Sequence, residues 1–238
     1  MNTLDITREQ YTKQLLESYH IVSVLSEKND CSVLRLRHKQ LNKDLILRSF
    51  PKNIAAYEFL CNIKTTNLPE VYDAITLSNG QIVLEEFISG ITIADVMKSG
   101  NYRYRGAKRV LIDVCNALEI LHQNGFVHRD IKPENIMISD NGRVVLIDLN
   151  ISKQISISTK DTIIMGTVGY ASPEQLGVSS SDARTDIYAM GILLNVMLTG
   201  KHPSQFLVRG TPGKIVKKCT NLNPEDRYQS AQKLAEAL

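Results

Sequence analysis

Over the first ninety positions, apolar residues come in short runs of strand type, the pattern expected of chains half buried in a sheet. The runs are Ile21–Leu25, Cys31–Arg37, Asp44–Ser49, Glu70–Leu77 and Gln81–Phe87. Between the last two lies Ser78-Asn79-Gly80, which contains the Asn-Gly hairpin signal. One helical stretch, Asn53 to Ile63, interrupts the strands. Beyond residue 90 the period changes. Val110, Val114, Ala117, Leu118 and Leu121 recur at the i, i+3/i+4 spacing of a core-facing helical stripe. Further helices are predicted over Ala183–Thr199, stopped by Gly200, over Pro212–Cys219 and over Arg227–Leu238. Two short strands, Ile136–Ser139 and Val144–Ile147, flank a second Asn-Gly turn at Asn141-Gly142. The expected fold class is α+β. A small β-rich lobe covers about 20–88 and a larger helical lobe about 89–238, within a single domain of 1–238. Residues 1–19 are expected to form a helical extension, from Thr7 to Tyr19.

Composition acts mainly by exclusion. At 238 residues the chain is long enough to bury a core without disulfide staples. With 43% hydrophobic and 22% charged residues it is neither disordered nor fibrous. A net charge of +3 is too small to point to nucleic acid or an anionic membrane. The longest apolar stretch, around Ile187 to Leu194, is far short of a bilayer span. The polar N-terminus, MNTLDITREQ, reads as neither signal nor transit peptide. Cys31, Cys61, Cys115 and Cys219 lie far apart with no CxxC pair, the pattern of reduced thiols in a cytoplasmic protein.

The strongest chemical signal is His128-Arg129-Asp130-Ile131-Lys132-Pro133-Glu134-Asn135, with Asp148 at the end of an apolar strand thirteen residues later. Two acids and an amide on loops between strands suit a magnesium–phosphate site. Hard cations take oxygen ligands, and an acceptor hydroxyl needs a carboxylate to orient it.

From Ile21 to the C-terminus the chain resembles the eukaryotic-type (Hanks-type) protein kinase family, particularly its compact bacterial serine/threonine members. The resemblance implies a bilobal kinase fold. It implies that Asp130 is the catalytic base, that Lys132 neutralises the γ-phosphate, and that Asn135 and Asp148 hold Mg2+, with Mn2+ as the alternative ion. Gly166-Thr167, Tyr170 and Ser172-Pro173-Glu174 resemble the end of an activation segment, with Ser where Ala is usual. Thr167 is then expected to bond to the catalytic loop, Asp186 to brace that loop, and Arg227 to pair with Glu174. Arg129, beside the catalytic acid, implies control by phosphate on that segment. Ser152, Ser156, Ser158, Thr159 and Thr162 are the available acceptors.

On the ATP side the chain departs from the family. The three glycine positions of the phosphate loop fall at Ser26, Lys28 and Cys31, so none of the three is glycine. Lys28 offers a compensating charge. Arg48 stands at the anchoring lysine, with Glu58 as the expected partner on the following helix. Ile46 replaces a small alanine above the adenine, and Asp148-Leu149-Asn150 replaces Asp-Phe-Gly. Glu85-Glu86-Phe87-Ile88 is the connection between lobes. Glu86 C=O and Ile88 N–H are expected to meet the adenine edge, and Val33 and Met137 complete the implied ATP-binding set. An acid at Glu85, guarding the back of that pocket, is unusual.

Two functions follow. The first is a protein serine/threonine kinase using MgATP, acting on protein substrates and answering to a regulatory protein partner. The second is a pseudokinase, a nucleotide- or partner-binding scaffold on the same fold. All the departures lie on the nucleotide side, and the acids and amide of the transfer step are complete.

Overall fold

In a computed structural model, described for residues 6–150, 152–154, 167, 169–176 and 181–238, the chain divides into two compact units. The first is the chain up to Thr65 together with Pro69–Ile88; the second is Thr66–Leu68 with Ser89–Leu238.

The first unit opens with helix α1 (Arg8–Ser18). It starts there because Thr7 and Gln10 form a reciprocal capping box that satisfies two end N–H groups. Strands β1 (Tyr19–Lys28), β2 (Cys31–His38) and β3 (Asp44–Phe50) follow, then helix α2 (Ala55–Leu60) and strands β4 (Val71–Leu77) and β5 (Gly80–Glu86). They form one sheet in the order β1-β2-β3-β5-β4, with every neighbouring pair antiparallel. Alternation sorts its two faces. Leu36, Leu45, Leu47, Leu77 and Ile82 make a buried layer against which Tyr11, Leu15 and Leu16 of α1 pack. The cross-strand partners Val33–Arg48–Val83 and Arg35–Ile46–Glu85 share the opposite face.

Two local features differ from expectation. Helix α2 is six residues long, where Asn53 to Ile63 was predicted. Asn53 bonds to the Gln81 amide at 2.8 Å instead of entering the helix, and Ile54 donates its N–H to Gln81 Oε1 at 3.0 Å. At the other end, bonds from Asn62 to Phe59 O and from Ile63 to Leu60 O tighten the chain out of α-geometry. The second feature is the β1–β2 turn. Ser26 and Lys28 lie in β1, Cys31 begins β2, and Lys28 pairs with Cys31. The left-handed residues are Asn29 (φ 50°) and Asp30 (φ 60°). A tight turn with two positive φ angles tolerates Asn and Asp better than most residues. None of the three expected glycine positions therefore requires left-handed backbone. Arg8 secures this turn, donating to Asp30 O (2.9 Å), Asp30 Oδ2 (2.7 Å) and Ser49 Oγ (3.1 Å).

The second unit contains β6 (Gly90–Thr92), α3 (Ile93–Met97), α4 (Tyr104–Gln123), β7 (Phe126–Val127), β8 (Ile136–Ser139), β9 (Val144–Leu146), β10 (Lys153–Gln154), α5 (Ala183–Thr199), α6 (Gly210–Cys219) and α7 (Ala231–Ala237). Helix α4 buries the predicted stripe of Val110, Val114, Ala117, Leu118 and Leu121. Helix α5 is buried along most of its length. It begins at an Asp182–Thr185 capping box and stops at Gly200, whose φ of 68° is the left-handed cap glycine favours. Helix α7 starts at Ala231, four residues later than predicted. Pro224–Asp226 is a separate 3-10 turn, and the Ser230 hydroxyl accepts the Lys233 N–H as N-cap.

Candidate active site

The loop 128–135 is held from below by one aspartate. Asp186, fully buried in the first turn of α5, accepts the backbone N–H of His128 at 2.9 Å and of Arg129 at 2.8 Å. His122 of α4 adds a ring nitrogen at 2.8 Å to the same carboxylate. Burial pushes the Asp186 carboxyl up, but His122, His128 and the backbone donors outweigh it and hold the group below the usual carboxylate range. Arg129 has φ 67°, a left-handed conformation costly for a side chain of this size. The Asp186 bond to its N–H and a 2.9 Å bond from Gln175 Nε2 to its carbonyl fix that conformation.

This backbone presents Asp130, Lys132 and Asn135 together. Asp130 Oδ1 accepts the Thr167 hydroxyl at 2.6 Å, and Oδ2 accepts Asn135 Nδ2 at 2.8 Å. The Lys132 ammonium lies 2.7 Å from Asp130 Oδ2 and donates to Thr167 Oγ1 at 2.8 Å, closing the ring. Burial raises the Asp130 carboxyl, while Lys132, Thr167 and Asn135 pull harder the other way, so it stays ionised below the ordinary range. Thr167 thus bonds to Asp130 and Lys132 of the loop 128–135, the contact expected of its place in the sequence.

Asn135 is next to the chain just beyond β9, which leads to Asp148: Ile147 N–H donates to Asn135 O at 2.9 Å, and His128 Nε2 lies 3.2 Å from Ile147 O. Asp148 has φ 71°, and Leu149 behind it is buried, as its likeness to an apolar phenylalanine position implies. Among the described residues, no group of three or more His, Cys, Asp or Glu side chains is placed to hold a metal ion. The donors fit a magnesium ion of the nucleotide-bound kind, which takes one or two protein oxygens and completes its shell with phosphate and water. Asn135 spends its amide nitrogen on Asp130, at 2.8 Å to both the backbone carbonyl and Oδ2.

Farther along, Glu174 and Arg227 form a buried two-pronged ion pair of 2.6 and 3.0 Å. Arg227 also donates to the carbonyls of Asn221, Arg184 and Leu222, and Thr185 Oγ1 donates to Glu174. The expected pairing is observed. Ser156, Ser158, Thr159, Thr162 and Gly166 lie outside the described residues.

In the first unit, Val33, Ile46 and Arg48 share the sheet face opposite α1. The partner of Arg48 differs from expectation. Arg48 Nε donates to Glu85 Oε1 at 2.6 Å, with both side chains under 10% exposed. Glu58 is engaged elsewhere, with Asn53 Nδ2 at 2.7 Å and Thr76 Oγ1 at 3.2 Å. Registry explains the difference: Ile46 pairs with Glu85 and Arg48 with Val83, so Arg48 and Glu85 are diagonal neighbours on one face. Glu86 closes β5, its N–H donating to Glu70 O at 2.8 Å, and Ile88 is buried. Met137, in the second unit, pairs with Thr92 and Val145 in the β6-β8-β9 sheet. His122, Gln175 and Glu85 contribute to positioning without having been singled out for it. Only Glu85, an acid inside an apolar run, carried a signal.

A five-stranded sheet unit, a helical unit, and an Asp–Lys–Asn loop braced from a buried helix aspartate together define a protein kinase domain. The pattern of that family, the protein kinase domain, matches residues 22–230, and the chain belongs to it. It is 31% identical over 225 residues to a probable serine/threonine-protein kinase of Clostridium perfringens, covering 84% of this chain and 32% of that protein. It is 34% identical over 180 residues to the serine/threonine-protein kinase PknB of Mycobacterium tuberculosis, covering 64% and 29%. A probable serine/threonine-protein kinase of Clostridium acetobutylicum is 29% identical over 229 residues, covering 85% and 34%. The chain spans about a third of the length of these relatives. Kinases of this family use ATP and a divalent metal ion. No described helix is long and apolar enough to cross a membrane.

Proposed function

We propose that this chain transfers the γ-phosphate of MgATP to serine or threonine hydroxyls of a protein. The observation that carries the proposal is the closed ring of Asp130, Lys132 and Thr167, with Asn135 bonded to Asp130. The Asp130 carboxylate already accepts one hydroxyl at 2.6 Å, that of Thr167. Its remaining lone pairs serve to orient an acceptor hydroxyl and take its proton as the bond from that oxygen to the γ-phosphorus forms and the bond from the γ-phosphorus to the bridging oxygen of ADP breaks, releasing ADP. Lys132 neutralises charge on the transferring phosphoryl group. Asn135 and Asp148 would hold the metal ion, which would supply positive charge to shield the phosphate oxygens. Within the first unit, Val33, Ile46, Glu86 and Ile88 are assigned to the adenine, and Arg48 to the phosphates.

A scaffold that only binds a partner requires none of the contacts converging on Asp130. The free cysteines support a cytoplasmic setting, and Arg129 supports regulation through a charged activation segment. Intact mass before and after incubation with MgATP, for the parent and Asp130→Ala, tests the proposal. Phosphate added to the parent alone supports it. No added phosphate together with no shift in melting temperature on adding nucleotide overturns it.

A further inference from the structure

In protein kinases the cation on the third strand is paired with a glutamate on the helix that follows, and movement of that helix makes or breaks the pair. Here the pair is built differently. We infer that Glu85 is the positioning residue for Arg48, so that the phosphate anchor is set inside the sheet and not by α2. This rests on the kinase reading above.

Three observations carry it. The bond from Arg48 Nε to Glu85 Oε1 is 2.6 Å between side chains 7% and 4% exposed. A charge-assisted hydrogen bond this short and buried is strong, and using Nε at the side of the guanidinium fixes the plane of the whole fork. The two residues also stand on directly hydrogen-bonded strands, two residues apart in register and so on the same face, with no loop between them to act as a hinge. Finally, the glutamate on the helix is committed elsewhere. Glu58 takes Asn53 and Thr76, and α2 spans six residues.

The two substitutions explain one another. A buried carboxylate at position 85 needs a permanent cation beside it, because an unpaired buried charge is costly. Arginine, unlike lysine, remains charged at any relevant pH and offers several donors in one rigid plane. Nucleotide-anchor geometry is thereby separated from helix position. In this chain, rotating or displacing α2 leaves the Arg48–Glu85 bond intact, and any regulation of transfer acts through another element.

The test is nucleotide binding by the intact chain, measured calorimetrically with MgATP, alongside steady-state phosphotransfer. Glu85→Gln is expected to raise the Kd and the KM for ATP roughly 10- to 100-fold, the scale of a lost charged hydrogen bond. The kcat at saturating ATP should stay within about threefold, a split that general damage to the fold does not produce. Glu58→Gln is expected to shift the Kd less than about threefold. If Glu85→Gln does not fold, Glu85→Asp takes its place; it keeps the charge one carbon farther away and should weaken binding by a smaller factor. Unchanged affinity in the Glu85 variants, or a loss confined to Glu58→Gln, overturns the inference while leaving the kinase reading standing. A parent chain that binds no MgATP overturns the kinase reading itself, and this inference with it.

Discussion

The two units of this chain solve their polar problems in different ways. In the second, the side chains proposed for phosphate transfer and its bracing are each tied to a partner that fixes them: Asp186 under the loop, Thr167 and Asn135 on Asp130, Arg227 under Glu174. In the first, the residue types have changed, and the contacts have been redrawn around them. A turn of Asn29 and Asp30 stands where the family has a glycine loop, and an Arg48–Glu85 pair where a strand-to-helix pair was expected. The lesson concerns which demands are exact. Moving a proton and a phosphoryl group requires particular atoms at particular places. Holding a charged nucleotide requires positive charge and a surface of suitable shape, and several sets of residues meet that requirement.

Breaking the second unit's chemistry should have the largest effect. Asp130→Asn keeps the size of the side chain and removes the carboxylate proposed as the base; phosphotransfer should fall by about 10³-fold or more, with MgATP affinity retained in calorimetry. Retained transfer would collapse the contrast between the units. Next comes its bracing. Arg227→Met leaves Glu174 buried without its cation, and urea unfolding should show a loss of about 3–5 kcal/mol.

The same pair gives a pH signature. Burial raises the Glu174 carboxyl, but the bonds from Arg227 dominate and hold it below its ordinary range. A carboxyl depressed in the folded state stabilises above its unfolded value, about 4.3, and loses that contribution as the pH falls through the folded value. The melting temperature should therefore fall more steeply below about pH 4.3 in the parent than in Glu174→Gln. Equal slopes would remove this pair from the acid response.

The smallest effect is expected in the first unit. Arg8→Ala removes the bonds to Asp30 and Ser49, but Asp30 is 67% exposed, so solvent screens much of the ion pair. A loss of about 1 kcal/mol is expected, together with faster amide exchange confined to the β1–β2 turn. A loss as large as that of Arg227→Met would show that the first unit also depends on exact contacts.

The legibility of the sequence followed the same division. The end of helix α5 and strand β8 were readable, because Gly200 and the Asn141-Gly142 turn mark them chemically. The three-residue β6 and five-residue α3 are too short to show a period, and they passed unread. The loop around Asp130 was legible because its chemistry needs fixed residue types at fixed spacings. The Arg48–Glu85 pair was not. It depends on how β3 and β5 register against each other, and Glu85 is thirty-seven residues from Arg48 in a run whose pairing partner no local pattern names.

Helix α1 lies outside the region 22–230 that carries the family likeness, yet it covers Leu36, Leu45, Leu47, Leu77 and Ile82 and lends Arg8 to the first turn of the sheet. The boundary of resemblance and the boundary of folding therefore do not coincide. A chain trimmed to begin at residue 22 would keep its whole family signature while baring one side of its sheet, an apolar surface of the kind that drives self-association. Its failure would be one of solubility, and it would reveal nothing about catalysis.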